Sequence, residues 1–236
     1  MKKLVIKPKS IDSTLILIAS ILIILSITSQ VFAYFTGRTL RGLVAFLNLD
    51  EELNLPTFFS GLILLISSFL LVIIYLAERN NGNKDKYYWG VLALGFLFMT
   101  YDEIFMFHER YVGPIMHAIF KDKDIGIFNF VWLVWIIPIS IITFIIVLVF
   151  YRFWHRLPVK TKLNILIAAI IYVGGAIGVE LIEGFVVDKH GEDSLLVNLV
   201  CSIQESMEMF GTIIFIHALL NYIVDKFGEI TFKFLD

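Results

Sequence analysis

Six long apolar runs divide the chain, near residues 13 to 35, 57 to 77, 88 to 108, 127 to 151, 163 to 184 and 200 to 224, with most of the charge held in short segments between them. None alternates apolar and polar positions as a barrel strand does, and each approaches the roughly 20 residues a helix needs to cross a hydrocarbon core. Backbone in lipid must satisfy its own hydrogen bonds, so the runs predict helices. The fold expected is an all-α polytopic membrane helix bundle of about six transmembrane helices, one domain over residues 1–236. Lys2, Lys3, Lys7 and Lys9 ahead of the first run, and Val31-Phe32-Ala33 at its end, outline a cleavable leader. The stretch from Leu15 to Phe35 is nevertheless long enough to span, and a retained first helix is the expectation.

The connections carry their own patterns. Leu40, Leu43, Val44 and Leu47 recur at helical spacing between Arg38/Arg41 and Asp50-Glu51-Glu52, which predicts a short helix lying in the interface. Pro56 opens the second helix, where its missing N–H costs nothing. Pro138 falls inside the fourth run and predicts a kink. Gly174 and Gly178, with Gly175 and Ala176, give the fifth helix a small-residue face that predicts close packing on a neighbour. The loop from Tyr111 to Gly126, with His117 and Lys121-Asp-Lys-Asp124, reads as a solvated turn, and the loop from Phe185 to Asn198, with Asp188, His190, Glu192 and Asp193, as a lid.

Charge orients the bundle. Thirteen of the 19 Lys and Arg fall before the first helix, in the second and fourth loops and in the tail, which by the positive-inside rule puts both termini in the cytoplasm. Fifteen of the 21 acids lie on the opposite side or in helix ends facing it. With 58% hydrophobic and 17% charged residues and a mean hydropathy of +0.85, the chain lies outside the range of soluble domains. A net charge of −2 with scattered basic residues excludes nucleic acid as a ligand. The partner expected is the lipid bilayer of a plasma (inner) membrane, with a homo-oligomer or a membrane partner protein left open. The single cysteine, Cys201, excludes an internal disulfide and reads as a small buried apolar residue.

Depth counting at a rise of about 1.5 Å per residue, from the cytoplasmic end of each helix, singles out one level. It puts Asp102 at about 20 Å and His108 and Glu109 near 30 Å on the third helix, Glu180 and Glu183 at about 26 and 30 Å on the fifth, and Glu208 and Glu205 at about 24 and 28 Å on the sixth. Glu180/Glu183 and Glu205/Glu208 are i, i+3 pairs on single faces, and Cys201 and Thr212 extend the latter stripe. Asp102 and Glu109 also share a face, with Glu103 and His108 about 100° away. Buried acids in such number need compensation, from a bound metal, from Arg110 and Lys189, or from protonation. His217 lies deeper and on another face, and reads as a packed histidine bonded to Asn221.

Paired carboxylates from separate helices, with histidine, are the material of a divalent metal site for Zn, Mn, Mg, Ca or Fe. The expected ligands are Asp102, Glu103, His108, Glu109, Glu180, Glu183, Glu205 and Glu208, with Asp102 and Glu208 as the catalytic pair. Glu-x-x-His, His-Glu-x-x-His, Gly-x-Ser-x-Gly and Walker patterns are absent, which disfavours di-iron bundles, zincins, serine hydrolases and P-loop enzymes. Three function classes stay open: a metal-dependent membrane-embedded hydrolase, a non-enzymatic membrane subunit or sensor, and a cation or proton transporter. The stretches Phe46–Thr57 with Asn-Leu-Pro-Thr, Thr100–Glu109 with Asp-Glu-x4-His-Glu, and Gln204–Gly211 with Glu-x-x-Glu-x-x-Gly resemble the signatures of an uncharacterised bacterial multi-pass membrane family. The resemblance implies one shared site for Asp102, Glu103, His108, Glu109, Glu205 and Glu208, and no activity.

Overall fold

The computed structural model describes residues 3–5, 8–112, 114–115, 118, 136–191, 194–228 and 231–233. The apolar runs form α1 (Pro8–Thr36), α3 (Leu55–Asn80), α4 (Lys86–Phe105), α5 (Ile136–Arg156), α6 (Val159–Val173), α7 (Glu180–His190) and α8 (Leu195–Phe227), with a five-residue α2 (Leu43–Leu47) after α1. A π segment, Gly174–Val179, joins α6 to α7 in one rod of 32 residues. Among the described residues five helices are long and apolar enough to cross a membrane: α1, α3, α5 from Pro138, the α6–α7 rod and α8. α4 occupies the expected third run, and Asp102 and Glu103 in its last turn dilute an apolar stretch only 20 residues long.

Helix ends follow local chemistry. The Asn54 side chain caps α3 by accepting from Thr57 N at 3.1 Å, with Pro56 beside it in the first turn. Ser194 caps α8 in the same way through Val197 N. α4 stops at Met106, which adopts a left-handed conformation (φ 53°). Pro138 sits in the first turn of the described part of α5, where proline is tolerated; residues 127–135 lie outside the described set, as do Lys121–Asp124 and His117. The expected lid loop shrinks, because α7 carries the helix on to His190 and only the short connection before Ser194 is left, with Glu192 and Asp193 outside the described residues.

α8 is the axis of the bundle, packed by α1, α3, α6, the π segment and α7. Its buried set, including Cys201, Met209, Ile213, Phe215, Ile216, Leu219 and Tyr222, covers more than one face, as a central helix must. Closest approach occurs at Gly211, where a Cβ would lie 2.8 Å from both the backbone N and the Cβ of Tyr172 on α6. Gly175 repeats this one level up, 3.0 Å from Gln204 O and Met207 Cβ, whereas a Cβ at Gly178 would meet open space. The small-residue packing expected of this helix therefore rests on Gly174, Gly175 and the opposing Gly211.

One end of the bundle gathers the bases and both chain ends. β1 (Lys3–Val5) pairs antiparallel with β2 (Thr231–Lys233). Glu78, fully buried at the end of α3, takes hydrogen bonds from Tyr222 Oη (2.6 Å), Asn83 Nδ2 (2.7 Å) and the Lys226 ammonium. Arg156 pairs with Asp85 at 2.6 Å, and Lys160 with Asp225 at 3.4 Å. Stacking of Tyr88 on Phe153 and edge contact of Trp89 with Phe153 fasten the last turns of α5. The rest of α5 presents Ile141, Ile142, Phe144, Ile145, Val147 and Leu148 half or more exposed, a surface suited to lipid.

Candidate functional site

The acid-rich end is built around a segment that the hydrophobic pattern misreads. Leu40 in the preceding turn and Leu43 and Phe46 on α2 are exposed, as an interfacial segment should be, but the chain then turns inward and buries Leu47, Asn48 and Leu49. Polar side chains on distant helices hold it there. Gln30 Nε2 on α1 donates to Ser26 Oγ at 2.9 Å and to Asn48 Oδ1, and Leu49 N donates to Ser26 Oγ at 3.0 Å. Asn54 Nδ2 donates to Asn48 O at 2.6 Å and to Ala45 O at 3.0 Å. Two buried amides thus replace the water this backbone would otherwise need.

The inward turn delivers Asp50 to Glu183 on α7 and Cys201 on α8, and one ligand atom from each of the three lies within 4.8 Å of the others. Cys201 is buried, Glu183 half-buried and Asp50 exposed, so the group opens toward water on one side. Glu180 sits within electrostatic reach of Glu183. Glu205, one turn below Cys201, lies within reach of Glu208, Glu103, Glu52 and Asp50.

A second group lies deeper. Ser60, Ile63 and Leu64 of α3, Glu103 of α4, Tyr172 of α6, and Glu205, Glu208, Met209 and Thr212 of α8 line a cavity of about 10 Å3. Gly61 lets α4 approach α3, since a Cβ there would stand 3.0 Å from Ile104 Cγ1 and 3.8 Å from Glu103 Cγ. The Tyr172 hydroxyl hydrogen-bonds Glu208, and Thr212 Oγ1 donates to the Glu208 carbonyl at 2.9 Å.

Of the residues expected from sequence, Glu103, Glu205 and Glu208 line the cavity, Glu183 belongs to the outer group, and Glu180 adjoins it. Asp102, half-buried on α4, is not a lining residue: successive positions on a helix diverge by about 100°, and Glu103 takes the inward direction. The side chains of His108 and Glu109 lie outside the described residues. Lys189 stacks over the Phe185 ring at 4.1 Å. His217 bonds Asn221 as expected, at 2.8 Å through Nε2, and its Nδ1 meets Asp12 of α1 at 2.6 Å. Asp50, Glu52, Tyr172 and, as a candidate ligand, Cys201 are the site residues that sequence reasoning missed. The signal for the first two was the run Asn48-Leu-Asp-Glu-Glu-Leu-Asn54, whose flanking asparagines are the anchors.

Residues 14–223 match the model of a family described as a domain of unknown function, DUF8692. No curated protein and no solved structure matches the chain. The chain belongs to the DUF8692 family.

Proposed function

We propose that this member of the DUF8692 family is an integral membrane protein of six crossings that holds a divalent metal ion at Asp50, Glu183 and Cys201. The convergence of these three ligand atoms from a loop and two helices carries the reading. Two carboxylate oxygens and a thiolate form a borderline-soft donor set that suits zinc ahead of magnesium or calcium. Three protein ligands with one side open to water is the arrangement of a catalytic rather than a structural zinc.

The antiparallel pairing of β1 with β2 supports an even number of crossings, and the bases collected at that end support cytoplasmic termini in a bacterial plasma membrane. The metal group then faces the outer leaflet. A metal ion there supplies a Lewis acid that makes water nucleophilic near neutral pH. Glu205, one turn along α8 from Cys201, is the carboxylate available to take the proton, so the reaction class is hydrolysis of an ester or amide carried by a lipid.

Cobalt(II) tests the centre through its thiolate bond. Titration of the purified protein should raise a thiolate-to-metal absorption band that Cys201→Ser abolishes and that Glu183→Gln shifts to at least tenfold higher cobalt. A wild-type titration with no such band would remove the reading. Lipid turnover by the zinc-loaded protein, lost with chelator, tests the hydrolase step.

A further inference from the structure

We infer that the groove between α3 and α4, at the basic end of the bundle, is a binding site for one phospholipid with an anionic headgroup, its acyl chain in the groove and its phosphate on Arg79, Lys84 and Lys86. The site is independent of the thiolate centre.

The groove has a volume of about 410 Å3, within the range of about 300–1,000 Å3 typical of sites that take a small molecule. Small residues create it. Gly90 and Ala93 line it from α4, where larger side chains would fill the space, and Tyr75 of α3 lies so close that a Cβ on Gly90 would stand 3.2 Å from its Cδ2. Ser68 Oγ donates to Ala93 O at 2.8 Å and ties the two helices together beside the floor, so the hollow is preformed. Its mouth is apolar, with Leu76, Val91 and Leu94 exposed. From Tyr87 to Leu94 it runs about 10 Å along α4, most of the depth of one leaflet of a core about 30 Å thick. That is the shape of a seat for an acyl chain.

Charge selects the headgroup. On α3 the lining residues Val72 and Leu76 are followed at helical spacing by Arg79, which carries the stripe out of the groove to the surface. On the other wall the Lys86 ammonium lies 5.1 Å from the ring centre of Tyr87, a lining residue, and Lys84 stands in the turn that joins the two helices. The acids nearest in sequence are already matched, Glu78 with Lys226 and Asp85 with Arg156. Among the described residues no carboxylate pairs with Arg79, Lys84 or Lys86. Three unpaired cations at one end of an apolar groove complement a molecule with a negative head and an apolar tail, and basic recesses between transmembrane helices hold such headgroups. A zwitterionic lipid brings its own ammonium to the same cations and gains less. Tyr75 and Tyr87, apolar rings with polar tips, suit the level where head and chain meet.

Titration of the delipidated full chain in detergent with phosphatidylglycerol, and separately with phosphatidylcholine of the same acyl chains, tests the site by native mass spectrometry and thermal unfolding. Wild type should bind one phosphatidylglycerol at least about tenfold more tightly than phosphatidylcholine, because each cation near an anionic lipid contributes a severalfold gain. Its Tm should rise with phosphatidylglycerol, since a ligand bound only by the folded state stabilises it. Arg79→Gln/Lys86→Gln should bring the ratio of the two affinities close to one. Leu94→Trp, which fills the groove from its open side, should weaken both lipids. The charge variant alters only side chains outside the core and keeps the test open should Leu94→Trp fail to fold. Glycerol phosphate, a headgroup without chains, should not displace the lipid. Equal binding of the two lipids by wild type would overturn the site, as would a preference retained in the charge variant or displacement by glycerol phosphate. A wild-type dimer without bound lipid that Leu94→Trp converts to a monomer would give the groove to a second copy of the chain and overturn it too.

Discussion

Gly211→Ala lowers the Tm by about 5–10 °C, corresponding to about 2–3 kcal/mol of overpacking. The added methyl would stand 2.8 Å from the Tyr172 N and Cβ and 2.9 Å from its Cα. Two of these three atoms are backbone, which cannot rotate away, so α6 and α8 must separate. Gain in helix propensity from Gly to Ala, about 1 kcal/mol, is too small to offset the clash. Shortening the Tyr172 side chain leaves N and Cα in place, so Gly211→Ala/Tyr172→Ala is no more stable than Gly211→Ala. Separation also draws the Tyr172 hydroxyl from Glu208 and widens the cavity they share. Gly174→Ala and Gly178→Ala serve as controls. The first meets only the flexible Met207 Cε at 3.2 Å and the second meets nothing, so both remain within about 1 kcal/mol of wild type. Thermal unfolding in one detergent ranks all of them; a Gly211→Ala protein as stable as the Gly178→Ala control would mean that the helices are not in backbone contact there.

Lys226→Met destabilises by about 3 kcal/mol, the lower end of what breaking a buried ion pair costs. Glu78 is 0% exposed, and among the described residues the Lys226 ammonium is the one cationic group that bonds it; Tyr222 and Asn83 are neutral donors. Removing Lys226 strands a carboxylate in low dielectric, while the two remaining hydrogen bonds and the partial exposure of the lysine end hold the loss below the upper values. Replacing both partners, Glu78→Gln/Lys226→Met, takes the charge away with its counterion and recovers more than half of the loss. Denaturant or thermal unfolding of the two single variants and the double variant reads this cycle. A Lys226→Met loss below about 0.5 kcal/mol would class the pair with exposed surface bridges instead.

Helix placement was legible because lipid leaves the backbone few options: the six expected runs coincide with α1, α3, α4, the described part of α5, the α6–α7 rod and α8, differing mainly at the ends. The nearness of three of the expected acids was legible too, since Glu103, Glu205 and Glu208 line one cavity. Rotation about the helix axis was not. Asp102 and Glu103 are adjacent acids in a helix with apolar residues all round, so no periodicity distinguishes the inward one; Gly61 and Ser60 on the opposing helix decide it. The inward turn at Asn48–Asn54 was hidden because its anchors, Gln30, Ser26 and Ser202, are spread along the chain and form a group only after α1 and α8 have packed. Tyr172 stood in an apolar run with no polar neighbour nearby, and its role depends on a glycine 39 positions later. Cys201 was read as a small apolar filler, correct in its burial and silent about the Asp50 that the loop brings to it.

Metal content of the protein purified without chelator, measured by elemental analysis against chain concentration, tests the central claim most directly. The account predicts a transition metal of the zinc class bound stoichiometrically in wild type and lost in Cys201→Ser, with Glu183→Gln intermediate. Wild-type protein that remains metal-free after growth and reconstitution in zinc, manganese and iron would contradict it.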